Sequence, residues 1–525
     1  MWKSAAAARN AFCALLIVLS ASGSAQNEPS VNTAPRLALV IGNGKYSNVP
    51  LKNAPNDAKA MAEQLTRMGF SVTMKVDATR AEMIETIRAF GSNLQKQKGI
   101  GLFYFAGHGA QLAWRNYLIP VDAAITDISQ VNAQAVDMET LLQSMTRANN
   151  PMNLVVVDAC RDNPFGASVP IPQKGLSQVD APAGTLLAYA TAPGNTAADG
   201  FGANGLYTEN MLKEMQAPNV KIEDVFKRVR LNVRLQSKGQ QIPWESTSLE
   251  QDFYFIPPKA LQSASLTETE PQFQAELALW ESIQSAKEPA PLEDYLRRFP
   301  SGKFSELAQF RLDRVLAQKG EKPVLVADAS SNADNPYTKG TVRINTAYSV
   351  GDSYTYRRID LATQAEQRKY TLTVTEATDD MLVYNKGAQV RDPMGNVFKN
   401  DRYGEYSGAE GGAAQFYVAE YSVGKKWTAR YRVKGKDESW TTEYEFRVVG
   451  KEKITIPAGE FDAFKVEGKG ATSTGAILRF TYWIAPDRVR RPLAIEFVSR
   501  GSRSGKLFAN ERDELVSFRQ LREMK

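Results

Sequence analysis

One histidine, His108, and two cysteines, Cys13 and Cys160, are all that a chain of 525 residues contains of those two types. That scarcity removes several chemistries. A single imidazole with one or two thiols cannot assemble the usual three- or four-ligand zinc set, so no metal site is expected. No run of five or six like charges occurs, and a net charge of +6 is thin over this length. Without a basic stripe there is no nucleic-acid footprint. The basic cluster from Lys227 to Arg234 has helical spacing and reads as a solvated helix face. Gly42-Asn43-Gly44-Lys45 lacks the full phosphate-loop spacing, which argues against a nucleotide role. No apolar stretch reaches the roughly 20 residues of a spanning helix, so no transmembrane span is expected.

The longest apolar stretch, Ala11 to Leu19, is short and follows Lys3 and Arg9. Small residues succeed it, Ala21 to Ala25 with Ser22, Gly23 and Ser24 between. That order is a secretory signal over 1–25, and it predicts an exported protein, periplasmic or secreted. Cys13 lies inside the apolar stretch and would leave with it, so the mature chain keeps one thiol and one imidazole. Oxidising compartments use cysteines in pairs. An unpaired Cys160 is therefore either a buried small hydrophobe or a reactive group, and its neighbours must decide.

With 43% hydrophobic and 23% charged residues, the chain reads as globular, and its length predicts two to four domains. Residues 36–258 alternate strands and helices. Leu37–Ile41 is a continuous apolar run. Pro55 and Asp57 open a helix with Ala58, Met61, Ala62 and Leu65 on one face, and Gly69 ends it. Strands follow at Phe70–Val76, Ile100–Phe105, Leu154–Asp158 and Thr185–Ala190, with helices near 80–96, 137–148, 205–216 and 221–236 between and after them. Such alternation predicts an α/β fold, a mostly parallel sheet with helices on both faces. Residues 271–318 are helical around the turn Pro300-Ser301-Gly302 and resemble a tetratricopeptide-like α-helical hairpin. A polar linker, 327–340, leads to an antiparallel β domain over 341–520, a curved sheet or a barrel, where period-two runs such as Tyr444, Phe446 and Val448 alternate with turns such as Pro457-Ala458-Gly459. Trp427, Trp440 and Trp483 there read as core residues, with ligand contact as the alternative.

Both scarce side chains sit just past a predicted strand, His108 in Phe103-Tyr104-Phe105-Ala106-Gly107-His108-Gly109 and Cys160 in Val157-Asp158-Ala159-Cys160-Arg161. Sites in open parallel sheets form beyond the carboxyl ends of strands, so the two can meet. The glycines beside His108 predict a sharp turn that frees its ring. A nearby imidazole can take the thiol proton and later protonate a leaving amine.

A His-Gly turn followed about 50 residues later by an acidic-small-Cys motif resembles the caspase and metacaspase clan. So do Leu39-Val40-Ile41-Gly42-Asn43 with Asn56-Asp57-Ala58, and the run Thr185 to Gly194. The resemblance covers 36–258 and implies a cysteine endopeptidase with Cys160 as nucleophile, His108 as base, and the backbone N–H groups of Gly109 and Cys160 as oxyanion donors. Asp158 stands where animal caspases carry Gln. With Asp57 it resembles the metacaspase pocket, implying cleavage after Arg or Lys. The plainer readings are a helix-dipole charge for Asp57 and a strand-end cap for Asp158. By position, the 166–183 loop, with Lys174 its single basic residue, is either a self-cleavage site or a specificity loop. No cofactor is required. Calcium activation, seen in many metacaspases, stays open with no assignable site, the acidic residues being too scattered. Expected partners are a protein or peptide substrate and envelope proteins docking through 271–520. The rival reading is a catalytically silent scaffold on the same fold.

Overall fold

The computed structural model describes residues 31, 34–159, 163–165, 169, 175–195, 202–258, 270–284, 286–321, 335–402, 404–407, 413–435, 438–502 and 504–522. The 1–25 segment, Cys160, Lys174 and most of the 327–340 segment lie outside the described residues. Among the described residues no helix is long and apolar enough to cross a membrane.

The first unit runs β1 (Arg36–Gly42), α1 (Ala54–Arg67), β2 (Phe70–Val76), α2 (Arg80–Gln97) and β3 (Ile100–Ala106). Then come β4 (Gly109–Leu112), β5 (Arg115–Leu118), α3 (Val131–Gln134), β6 (Val136–Asp137), α4 (Met138–Arg147) and β7 (Met152–Asp158). It closes with β8 (Thr185–Tyr189), α5 (Leu206–Glu214), α6 (Ile222–Gln236) and β9 (Trp244–Thr247). The main sheet has the order β2-β1-β3-β7-β8-β9, parallel except for the antiparallel edge β9. β1, β3 and β7 are buried on both faces, which is why their sequences read as unbroken apolar runs rather than alternating ones. α1 stops at Gly69, whose φ of 81° is open only to a residue without a Cβ penalty. α2 begins with a capping box, Thr79 accepting from the Glu82 N–H and Glu82 accepting from the Thr79 N–H.

The segment expected to be a helical hairpin holds three helices, α7 (Glu270–Ile283), α8 (Pro289–Arg298) and α9 (Ser305–Gln318). α8 and α9 form the hairpin, and α7 adds Trp280, stacked on Phe304 with ring centroids 5.6 Å apart. The Lys227–Arg234 cluster is not a solvated face. Arg234 is buried and pairs with Asp313 at 2.5 Å and Glu321 at 2.9 Å, Arg230 pairs with Glu245, and Lys227 donates to Ser301. The charges face partners far along the chain, which helical spacing cannot reveal.

The last unit is a closed antiparallel barrel of 12 strands from Ser353–Asp360 to Leu507–Arg519, with these two paired to close it (Tyr356 opposite Leu515). Thr341–Arg343 and Glu420–Ser422 form a separate ladder outside it. Outward positions carry charge, as at Glu443, Glu445 and Arg447, while inward Tyr444, Phe446 and Val448 are buried. That polarity is the inverse of a lipid-facing barrel. Trp427 and Trp483 are largely buried, and Trp440 lines the barrel interior.

Candidate active site

β3 and β7 are adjacent and parallel, with Ala106 opposite Asp158. The Gly107 N–H continues the ladder to the Asp158 carbonyl at 3.3 Å. His108 and Cys160 therefore each follow their strand by the same two residues. Across the gap, a Cβ placed on Gly109 would stand 3.2 Å from the Ala159 Cβ and 3.1 Å from Leu176. Gly109 is thus held against the residue immediately before Cys160. The glycines flanking His108 serve close approach rather than an unusual turn, since neither has positive φ. A Cβ on Gly107 would press within 2.7 Å of both the Tyr46 hydroxyl and the Phe105 ring.

His108 is fully buried. Its Nε2 lies 2.7 Å from the Val49 carbonyl oxygen. A carbonyl only accepts, so Nε2 carries a proton, and in the neutral form of the ring the lone pair is on Nδ1. The Tyr46 ring packs on the imidazole with centroids 4.4 Å apart. The Tyr46 hydroxyl accepts from the His108 N–H at 2.9 Å and donates to the Ile119 carbonyl at 3.0 Å. The sequence pattern showed no orienting group. It is a main-chain carbonyl, and backbone atoms carry no residue signature.

Val49 lies in the loop after β1, which is held from several sides. Asn43, also fully buried, donates to the Ala78 and Ile119 carbonyls and accepts from the Ala78 N–H. Asp77 accepts from the Gly44 and Lys45 N–H groups, both at 2.9 Å. Burial raises the Asp77 carboxyl, but those two bonds and the Lys45 charge outweigh it and hold the group below its ordinary value.

The backbone of Gly109 is set by its small sheet. The Ile119 N–H donates to the His108 carbonyl at 3.0 Å, so 108 and 119 form a hydrogen-bonded pair. Gly109, opposite Leu118, is then in the non-hydrogen-bonded position, with its N–H directed away from β5.

Asp57 and Asp158, at 0% and 2% exposure, are closed from solvent. Asp57 Oδ1 accepts from Asn204 Nδ2 at 2.8 Å and from the Gly205 N–H, at the start of α5, at 2.9 Å. Asp158 Oδ2 accepts from Thr208 Oγ1 at 2.7 Å, and Tyr104 donates to that hydroxyl at 2.5 Å. Burial, then the fields of Asp158 and Asp57, push the Tyr104 phenol well above its ordinary value. The phenol thus senses both carboxylates, one on α1 and one at the end of β7. Among the described residues no three His, Cys, Asp or Glu converge on a metal position.

The segment leading to β8 is tied to the chain that precedes the barrel. Ser177 exchanges hydrogen bonds with the Asn116 side chain, and Asn335 donates to the Ser177 hydroxyl and the Gln178 carbonyl. Asp180 accepts from Thr338 Oγ1 at 2.7 Å and from the Lys339 N–H at 2.9 Å.

The family model described as the caspase domain matches residues 35–254. The chain is 30% identical over 162 residues to mucosa-associated lymphoid tissue lymphoma translocation protein 1 of Homo sapiens, covering 30% of this chain and 19% of that protein. It is 21% identical over 254 residues to caspase-1 of Mus musculus, covering 43% of this chain and 61% of that one. The chain thus spans about a fifth of the human relative's length and under two thirds of caspase-1. Sheet order, the paired strand ends and these matches agree, and residues 35–254 belong to the caspase-like peptidase superfamily.

Proposed function

We propose that residues 35–254 hydrolyse peptide bonds after Arg or Lys, with Cys160 as nucleophile and His108 as its base. The observation that supports this reading is the level register of Ala106 and Asp158, which sets the turn holding His108 beside Ala159, the residue before Cys160 in the sequence. His108 Nδ1 takes the thiol proton as sulfur attacks the scissile carbonyl carbon. The oxyanion accepts from the Gly109 and Cys160 N–H groups, and the imidazolium then protonates the leaving amine. A water, deprotonated by the same nitrogen, hydrolyses the thioester and returns the thiol. The Val49 carbonyl supports the Nε2–H throughout.

The acidic pocket rests on Asp57 and Asp158. Both carboxylates bear on the Tyr104 phenol, and in the proposed pocket they would pair with a guanidinium or ammonium, bidentate for Arg. Lys174 is the proposed self-cleavage point. Mass spectrometry finding the 166–183 loop intact in fully active enzyme would remove that part alone.

The test is hydrolysis of matched fluorogenic peptides ending in Arg, Lys or Asp, by the wild-type chain and Cys160→Ala, with and without calcium. Activity on Arg or Lys that disappears in the variant supports the reading. Preference for Asp would overturn the pocket assignment, and folded protein inert on every peptide would favour a catalytically silent scaffold.

A further inference from the structure

The barrel encloses a cavity of about 690 Å³. That is within the range of small-molecule sites. In a sequential antiparallel barrel, alternate hairpins share an end. The turns after Asp360, Tyr384, Asn400, Lys434, Thr472 and Gly501 therefore form one end, and those after Ala377, Arg391, Ser407, Ile456 and Ile484 the other. Lining residues at the first end include Asp401, Thr474 and the exposed Phe508, so the cavity opens there. Its middle is walled by Phe416, Tyr431, Tyr444, Phe480 and Phe497. At the far end the lining is Arg391, Arg491, Tyr356 and Tyr417.

That floor carries a charge imbalance. Arg491 is 2% exposed, and its Nε and Nη1 meet no hydrogen-bond acceptor among the described residues. Its guanidinium lies 5.7 Å from the Tyr384 ring centroid and acts electrostatically on the Tyr356 phenol, which donates to the Pro492 carbonyl; both phenols are neutral groups. Arg391, 7% exposed, donates only to neutral oxygens, the Gly395 carbonyl and Gln389 Oε1. Burial, then the neighbouring Arg491 charge, pull the Arg391 guanidinium below its ordinary value, so the two cations feel each other. The nearby acids are engaged elsewhere: Asp352 pairs with Arg490, and Asp392 accepts from Asn396. Of the other lumen arginines, Arg358 is bound by Asp513 and Glu511 and Arg402 by Glu511, while Arg368 is exposed and lies over the Tyr370 ring. Buried charges are ordinarily paired. Two that face a cavity without a carboxylate partner among the described residues define where an anion belongs.

We propose that the barrel binds a single-chain amphiphile, its anionic head (carboxylate or phosphate) on Arg391 and Arg491 at the floor and its alkyl chain along the aromatic wall. The outward-charged surface fits a lumen that carries such a molecule rather than a barrel embedded in lipid.

The test uses the full-length chain in calorimetric titration, each probe below its micellar concentration. The probes are palmitate, hexadecyl phosphate, hexadecanol and hexadecyltrimethylammonium. Expected is saturation at one palmitate or hexadecyl phosphate per chain, with the alcohol at least tenfold weaker and the cation absent. The tighter of the two anions names the head group. Arg491→Met should weaken the anions at least tenfold and the alcohol little, while Ser499→Phe, which narrows the lumen, should weaken all three. Circular dichroism checks each variant. If Arg491→Met does not fold, Arg391→Gln removes the second charge, and the head-group comparison on the unsubstituted chain stands by itself. No saturable anion binding, equal binding of the alcohol, or anion affinity unchanged in a folded arginine variant would each overturn the proposal.

Discussion

Ala106 and Asp158 lie directly opposite each other at the carboxyl ends of β3 and β7. Parallel register leaves no freedom to advance one strand end relative to the other, so the turn holding His108 and the residue before Cys160 arrive at one level. His108→Ala should lower kcat/KM on the preferred peptide by about 10²–10⁴-fold, the usual worth of a positioned base. Cys160→Ala should abolish turnover. Steady-state kinetics on both variants, with folding checked by circular dichroism, decides this.

Tyr46 holds both the His108 N–H and the Ile119 carbonyl through one hydroxyl. Tyr46→Phe keeps the ring on the imidazole but leaves a buried N–H without that acceptor, at a cost of about 1–3 kcal/mol in stability. Urea unfolding should register the loss, and kcat should fall more than KM rises. Unchanged stability would mean that the loop re-forms around another acceptor.

Asp57→Asn and Asp158→Asn retain a side-chain oxygen for Gly205 and Thr208 respectively, and remove the negative charge. Each should reduce kcat/KM for an Arg peptide by about 10–100-fold, the worth of one charge-assisted hydrogen bond. The matched citrulline peptide should be almost unaffected. An equal fall for both peptides would point to a structural role instead.

Asp180 holds Thr338 and Lys339 against the caspase domain. Asp180→Ala should free that segment and make bonds near 335–341 cleavable by thermolysin. The unfolding free energy should fall by about 1–2 kcal/mol, two hydrogen bonds' worth. Wild-type resistance in the variant would mean that Asn335 and Gln178 suffice.

Burial raises the Asp392 carboxyl to about 6 despite hydrogen bonds from Asn396. Because its folded value exceeds the unfolded one, protonation favours the folded state. The stabilisation is full below the unfolded value and is lost as pH rises through about 6. Chemical denaturation at pH 4 to 7 should show a drop of up to about 3 kcal/mol that is absent in Asp392→Asn. Parallel pH profiles for the two proteins would exclude this assignment.

The strands of the caspase domain were legible because burial on both faces writes itself as continuous apolar runs, as at Leu37–Ile41 and Thr185–Tyr189. β2, an edge strand with only one neighbour, is less buried, and its start was marked by Gly69, where the preceding helix ends. The small sheet β4–β6 was not read. Its strands are two to four residues long and too short to show a period. The Lys227–Arg234 cluster was misread because helical spacing identifies a face without identifying what covers it. In the barrel the alternation was visible strand by strand, and it left a curved sheet and a closed barrel both open.

The sequence by itself determined that this chain has one imidazole and, beyond the apolar N-terminal run, one thiol, each at the end of a buried strand, and that an α/β unit precedes an alternating β unit. Those are local properties, written in composition and in periods of two or of three to four residues. Only the tertiary structure decided that the Val49 carbonyl receives the His108 Nε2–H, that Asp57 and Asp158 share one phenol, and that Arg391 and Arg491 meet on a barrel floor. Each joins residues separated along the chain by loops or whole strands, and no local period encodes which distant backbone or side chain completes a contact.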